Sequence, residues 1–473
     1  MRFCEVKSYQ YQGLEKREVV VQAMKTRGLS QLSLSGNIST FLKDSSDKIK
    51  AVVSLSTEWG PVDKVLVHFL PIEFSKNAKH LEVPLALALR AVLQKDDLND
   101  EQKEKLSRYI FSGAITLSGE LLDAQAEDTA TGHLYTFKEF EDLWEFFSNS
   151  VRDLENIARV EKKVTYIENE LLVADNRKWE KLWLCVASVA KLPVLLMGPP
   201  GQGKTHLAKW SQQLLPEALE YRDQIDRIWT LSGSRNIPRI PFQSPHARIH
   251  RSELVGVDRH EISRPGIFAL SHGGLLVLDE FSEMARDCRE LLRNILDEKE
   301  VRRNTRGGFI SWPADFWLIL TANPCLCGYA QGTDLSKCRC LESSRLKYLS
   351  RFSGPLLDRM PVKLFLTQKD KNLELLDLHF LDIKNKSQVK VLQDRVLSAR
   401  KLIQKPNELK KITESFSNFN NARQSKLLEV LWHSMQGLFP EANIKDLEAV
   451  FLMFMKLQID FRKELMGTSY ELG

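Results

Sequence analysis

Gly198-Pro-Pro-Gly-Gln-Gly-Lys-Thr205 follows the apolar run Val194-Leu-Leu-Met197 and opens a helical pattern from Thr205 to Leu214. A strand, a glycine-rich loop and a helix in that order form a phosphate-binding arrangement. Glycines let backbone N–H groups curl around phosphate oxygens, and the helix N-terminus adds positive potential. Within G-x-x-x-x-G-K-T, Lys204 reaches the β- and γ-phosphates and the Thr205 hydroxyl can ligate Mg²⁺. Gly198, Pro199, Pro200, Gly201, Gln202, Gly203 and His206 complete the candidate cradle.

A second motif, Gly274-Leu-Leu-Val-Leu-Asp-Glu280, is an apolar strand ending in two acids. Buried parallel strands read as continuous apolar runs, and ligands gather at their carboxyl ends. Asp279 is placed to hold Mg²⁺ and Glu280 to orient and deprotonate the attacking water, since phosphoryl transfer needs chiefly positioning and charge stabilisation. A third apolar strand, Phe316-Trp-Leu-Ile-Leu-Thr321, ends at Ala322-Asn-Pro324. In AAA+ ATPases a polar residue at this point lies between the two nucleotide motifs and helps position water; Asn323 fits. Leu349-Ser-Arg-Phe-Ser-Gly-Pro-Leu-Leu-Asp-Arg-Met360 precedes the last core strand, Val362–Leu366, where ring ATPases place an arginine finger. Arg359 is the first candidate and Arg351 the second. Arg423, in Asn421-Ala-Arg-Gln424, stands where a second sensor would couple nucleotide state to lid angle.

The 473 residues allow about three domains, with 43% apolar content and a net charge of +5. The balance is mildly basic, so charge placement matters more than total. Met1-Arg-Phe-Cys-Glu-Val lacks a signal-peptide core, Lys191 and Pro193 interrupt the run around Val186–Met197, and Val450–Met455 is too short to span a bilayer. These features predict a cytoplasmic protein without a membrane partner. Four of seven cysteines cluster as Cys325, Cys327, Cys338 and Cys340. In a cytosolic chain such a cluster favours metal over disulfides, and C-x-C-x10-C-x-C can supply four thiolates to a structural Zn²⁺, with Gly328 and Gly332 helping the backbone turn. A reduced, metal-free loop is the alternative.

The pattern predicts an α/β unit over 1–122, a helical linker over 123–165, an ATPase core over 166–366 and an all-helical lid over 367–473. In the first unit, Val19–Ala23 and Val65–Phe69 read as strands, Ser39–Val53 and Val83–Leu93 as amphipathic helices, and Lys95–Lys105 as a charged surface connector. In the lid, Asn372–Phe380, Val389–Ile403, Asn421–Gln436 and Ile444–Lys463 read as helices. Arg289, Arg293, Lys299, Arg302, Arg303 and Arg306 make a dense basic stretch, in which Val301–Ile310 reads as a hairpin. Arg259, His260 and Arg264 lie in a smaller insertion near Gly256–Pro265. Such charges serve either a nucleic-acid contact or a solvated face.

Together these stretches resemble the ComM (YifB) family of magnesium-chelatase-like AAA+ proteins, bacterial branch-migration helicases. Phe242-Gln-Ser-Pro-His246 resembles its F-R-S-P-H-H, and Arg264-Pro-Gly266 with Ala269-Leu-Ser-His-Gly-Gly274 its stretch before the acidic strand. Asn323-Pro-Cys-Leu-Cys-Gly328, Cys338-Arg-Cys340 and Ser353-Gly-Pro-Leu-Leu-Asp-Arg359 are close to family signatures. Gly28-Leu-Ser, Lys48–Val53 and Leu81-Glu-Val-Pro-Leu-Ala86 resemble its N-terminal segments. The departures are Ala174-Asp-Asn176 near the family's G-Q motif, Ala247 for the second histidine, Asp358-Arg-Met-Pro361 at the finger, and Asn421-Ala-Arg-Gln424 in the lid.

The resemblance implies an AAA+ P-loop core, an N-terminal fold similar to the Lon protease domain without its serine–lysine dyad, and a helical lid. It further implies ATP and Mg²⁺ bound between subunits of a hexameric ring, a basic hairpin in the central channel, and sequence-independent contact with branched or single-stranded DNA. The competing reading is a magnesium-chelatase-like ATPase that remodels protein and does not act on DNA.

Overall fold

In this computed structural model two compact units are described, over residues 2–466 except 74–75, 77–78, 95, 131–133, 149–164, 169, 174–176, 235, 260–261, 306–307, 331–335, 367–375, 377 and 404–421. One unit takes in Met1–Val164, Val257–Arg264 and Arg302–Trp312; the other takes in Thr165–Gly256, Pro265–Val301 and Pro313–Gly473.

The first unit is built on one seven-stranded sheet. Arg2–Gln12 (β1) and Glu15–Arg27 (β2) form a long antiparallel hairpin. Period-two alternation turns Val19, Val21 and Ala23 into the core. Gln31–Ser35 (β3) leads to Thr40–Ser56 (α1), whose first turn is capped by the Ser39 hydroxyl accepting from Leu42 N–H. Asp63–Leu70 (β4) follows, and then Glu82–Leu93 (α2).

The α2 helix differs from the amphipathic reading: every one of its residues is buried. It packs against β1, β2, α1 and the strand Tyr109–Ile115 at once, so no face is left for solvent. Its two charges are paired. Lys48 grips both carboxylate oxygens of Glu82 at 2.7 Å. Arg90 grips Glu141 through two 2.8 Å bonds and lies 4.4 Å from the Trp144 ring centroid. The expected connector also changes. Asp100–Arg108 (α3) is a helix opened by a capping box between Asn99 and Gln102, with Lys105 buried and donating to Phe146 O at 2.6 Å.

Tyr109–Ile115 (β5), Glu120–Asp128 (β6) and Leu134–Glu139 (β7) complete the sheet, followed by Phe140–Ser148 (α4). The expectation of a helical linker from residue 123 is therefore corrected. Ala124, Ala126 and Asp128 alternate inward while Gln125 and Glu127 between them stay more exposed, a strand pattern that alanine's helix propensity disguises. A β-carbon on Gly113 would lie 2.5 Å from Ala124 Cα, so β5 and β6 meet where only glycine fits.

The second unit opens with Thr165–Ile167 (β8), which pairs with Asn236–Pro238 (β10). Lys178–Val189 (α5), Val194–Met197 (β9), Lys204–Trp210 (α6) and Arg222–Leu231 (α7) lie between them. Phe242–Gln243 (β11) and Arg251–Val255 (α8) lead to a small hairpin, Val257–Arg259 (β12) with Ile262–Arg264 (β13). Then come Ile267–Leu270 (α9), Leu275–Leu278 (β14) and Arg286–Glu298 (α10). The expected basic hairpin is present as Glu300–Thr305 (β15) and Gly308–Pro313 (β16). Trp317–Ala322 (β17), Glu342–Leu349 (α11), Gly354–Leu357 (α12) and Val362–Phe365 (β18) end the α/β part.

Five of these strands form a wholly parallel sheet, β11-β14-β17-β9-β18. The strand ending at Asn323 thus lies between the two nucleotide-motif strands, as the sequence predicts. Lys386–Ile403 (α13), Ala422–Leu438 (α14) and Ile444–Met466 (α15) correspond to three of the expected C-terminal helices; Asn372–Phe380 falls mostly outside the described residues. They share one hydrophobic cluster with α5 and the sheet, joined where Trp183 stacks on Phe454 at 3.7 Å between centroids.

Candidate active site and metal centre

The carboxyl ends of β9, β14 and β17 bring the predicted groups together. After β9 the loop turns through left-handed glycines: Gly201 has φ +77° and Gly203 φ +74°, and a β-carbon on either would meet no atom within 4 Å. That open space is what a phosphate cradle needs. Lys204 starts α6 and donates to Gly198 O at 2.8 Å, Pro199 O at 2.8 Å and Asn323 Oδ1 at 3.0 Å. These three bonds use the ammonium's three donors on groups that a phosphate would replace. Burial pulls Lys204 below its ordinary value, while Asp279 and Glu280 oppose that shift. Pro199 is buried, His206 is exposed, and the Gln202 side chain accepts from Arg177 at 2.9 Å.

The Thr205 hydroxyl sits 2.9 and 3.0 Å from the two oxygens of Asp279. The two expected Mg²⁺ ligands are therefore adjacent. A second hydroxyl, missed in the sequence, completes the group. Thr321 is fully buried, donates to Asp279 Oδ1 and accepts the Glu280 N–H at 3.1 Å. Glu280 itself has φ +50°, an uncommon value for a residue with a side chain. The Thr321 bond holds this turned backbone, and the Glu280 side chain remains exposed. Asn323 is held from behind: Tyr348 OH donates to its carbonyl at 2.7 Å and pairs with Ser282 Oγ at 2.7 Å. Tyr348 is a second missed residue. Its only sequence signal is an aromatic on the helix after the cysteine loop.

The two finger candidates bond within their own chain. Arg351 donates to Ser282 O at 2.9 Å, beside the acidic motif of its own chain. Arg359 binds Asp297 through Nε at 3.0 and 3.1 Å and also through Nη2, while Nη1 donates to Pro355 O at 2.6 Å. Arg423 lies in the first turn of α14, and its side chain is outside the described residues.

The cysteines converge. All four Sγ atoms of Cys325, Cys327, Cys338 and Cys340 lie within 4.8 Å of one another. Cys325–Cys327 is 3.3 Å, and Cys325–Cys338 and Cys327–Cys338 are each 3.7 Å. A tetrahedron with Zn–S bonds of about 2.3 Å puts sulfurs about 3.8 Å apart, so the donor set fits a four-thiolate metal site. Burial pushes the Cys327 thiol up, but the backbone N–H groups of Arg339 and Tyr329, with Cys325 and Cys340, outweigh it and bring it down to about 6. Gly328, at φ +85°, turns the knuckle; a β-carbon there would lie 2.7 Å from Pro200 Cδ, so the knuckle packs on the phosphate loop. Gly332 is outside the described residues.

A family model described as magnesium chelatase, subunit ChlI, matches residues 170–373, and another, subunit ChlI of Mg-chelatase, matches residues 21–131. The uncharacterized protein YifB of Escherichia coli K12 is 26% identical over 381 residues, 74% of this chain and 73% of the relative. The uncharacterized protein Rv2897c of Mycobacterium tuberculosis H37Rv is 28% identical over 382 residues, 74% of each chain. Competence protein ComM of Haemophilus influenzae is 24% identical over 386 residues, again 74% of each.

The chain is thus similar to magnesium-chelatase subunit ChlI over two stretches and to ComM and YifB proteins over about three quarters of its length. This similarity suggests an AAA+ ATPase that uses ATP and Mg²⁺. Among the described residues no helix is long and apolar enough to cross a membrane.

Proposed function

We propose that this chain is an ATP-driven, ring-forming motor that moves DNA strands by branch migration or unwinding. The observation that carries the proposal is a basic hairpin that lies in chain order between β14 and β17, the strands leading into the acidic motif and Asn323. Lys204 and Thr205 meet the phosphates and Mg²⁺, Glu280 activates water, Asn323 positions it, and Arg359 is the candidate finger for a neighbour's ATP. Mg²⁺, when bound, neutralises charge on the transferred phosphoryl group. Cys325, Cys327, Cys338 and Cys340 would hold Zn²⁺, which would stiffen the link between Asn323 and Arg359.

The hairpin β15–β16 presents Arg302 and Arg303, and Phe309 beside them is 55% exposed. Guanidinium groups would hold phosphates without reading sequence, and an exposed ring offers a face to an unpaired base. Arg306 lies outside the described residues. The similarity to magnesium-chelatase subunit ChlI favours a second reading, ATP-driven remodelling of a protein.

Exchanging Arg302 and Arg303 together for glutamate separates the two. For a DNA motor, affinity for single-stranded DNA at fixed salt should fall by at least about tenfold, with a shallower salt dependence. Unchanged DNA affinity would favour the protein remodeller.

A further inference from the structure

An acid stands at the wrong end of α10. The helix ends with Asp297 and Glu298 and has no basic residue in its last turn, where the macrodipole disfavours negative charge. Asp297 is held there by Arg359, which bonds it through Nε and Nη2 and turns Nη1 to Pro355 O. Those contacts take three of the guanidinium's five N–H donors. One remains on each terminal nitrogen, enough for a two-bond grip on a phosphate oxygen pair. The flexible side chain is thus pre-oriented.

The same helix end runs into the basic hairpin. Lys299 caps α10 at φ +55°, and its N–H bonds Ile295 O at 2.8 Å. Its carbonyl accepts Ala314 N–H at 2.7 Å, and its ammonium lies 3.1 Å from Asp315, so Lys299 closes the hairpin's two legs at their base. Asp297 is two residues from that closure.

We propose that Asp297 is the positioning residue of the arginine finger, presenting Arg359 to the neighbouring subunit's ATP and tying it to the base of the hairpin. The proposal rests on the reading of Arg359 as that finger. Engagement of a γ-phosphate by Arg359 competes with Asp297 for the same cation. The pull falls on the last turn of α10, so the hairpin base senses whether the neighbour holds ATP.

A double-mutant cycle in the full chain tests this, reading kcat and KM for ATP. Asp297→Ala should lower kcat roughly ten- to a hundredfold, the cost of a misplaced catalytic group, with KM for ATP unchanged. Asp297→Glu should restore most of the rate. In an Arg359→Ala background, Asp297→Ala should cost nothing further. A kcat within about twofold of wild type, or an equal loss in the Arg359→Ala background, would overturn the proposal while leaving the finger in place. Wild-type kcat in Arg359→Ala alone would overturn the finger and the proposal together. A wild-type ATPase indifferent to DNA would strike only the DNA motor, because the cycle is read without DNA. Melting curves and gel filtration of each variant separate loss of the finger from loss of the fold.

Discussion

Thr321 shows what a single hydroxyl does at this site. In an otherwise apolar buried strand it links Asp279, the proposed Mg²⁺ ligand, to the backbone of Glu280. Thr321→Val keeps the shape and removes both bonds. It leaves the Glu280 N–H without its partner and costs about 1–3 kcal/mol of local organisation. The expected result is a kcat lowered about ten- to a hundredfold with the fold intact by circular dichroism; an unchanged kcat would remove Thr321 from the catalytic group. Lys204, Thr205, Asp279, Glu280 and Asn323 were legible in the sequence because loop spacing and strand ends place them by local rules. Thr321, Tyr348 and Asp297 were not, because their roles arise from contacts 25 to 62 residues apart along the chain.

At the scale of elements, the cysteine knuckle and the segment before β14 each carry a prediction. Four sulfurs at tetrahedral spacing should retain about one zinc per chain through gel filtration, and Cys338→Ser should lose most of it by elemental analysis. Full-length protein that is metal-free as purified under reducing conditions, and takes up no added zinc, would contradict the site. His272, in the motif before β14, accepts Asp315 N–H at Nδ1 at 3.1 Å and faces Gln224 Oε1 from Nε2 at 2.7 Å. This fixes a neutral ring. Burial, helped by Lys191 and opposed by Asp315, brings the imidazole from 6.5 down to about 4. Because the folded value is depressed, the unfolded chain takes the proton first. Stability is full above pH 6.5 and falls as the pH drops towards 4, by on the order of 3 kcal/mol. Melting midpoints of wild type and His272→Gln should converge across that window; parallel curves would contradict the assignment.

Elements were legible where hydrophobic period and length agreed, as in the parallel strands, α1 and the C-terminal helices. They were misread where tertiary packing overrode local pattern. The β6 strand hides alternation behind two alanines, α2 is buried on every side, and the capping box of α3 lies inside a charged run.

For the whole molecule, each unit has its own continuous hydrophobic cluster, and the second merges the parallel sheet with α13, α14 and α15. Arg359 bonds Asp297 rather than the cluster of Lys204, Thr205 and Asp279 of its own chain; on the proposed reading a neighbour's finger completes that site and the basic hairpin is what hydrolysis moves. ATP hydrolysis by the full chain, measured with and without forked DNA and with Glu280→Gln as the blank, tests this account most directly. It predicts hydrolysis that the fork stimulates and that the variant abolishes. An ATPase abolished by Glu280→Gln yet unaffected by DNA would contradict the DNA motor and point to a protein client.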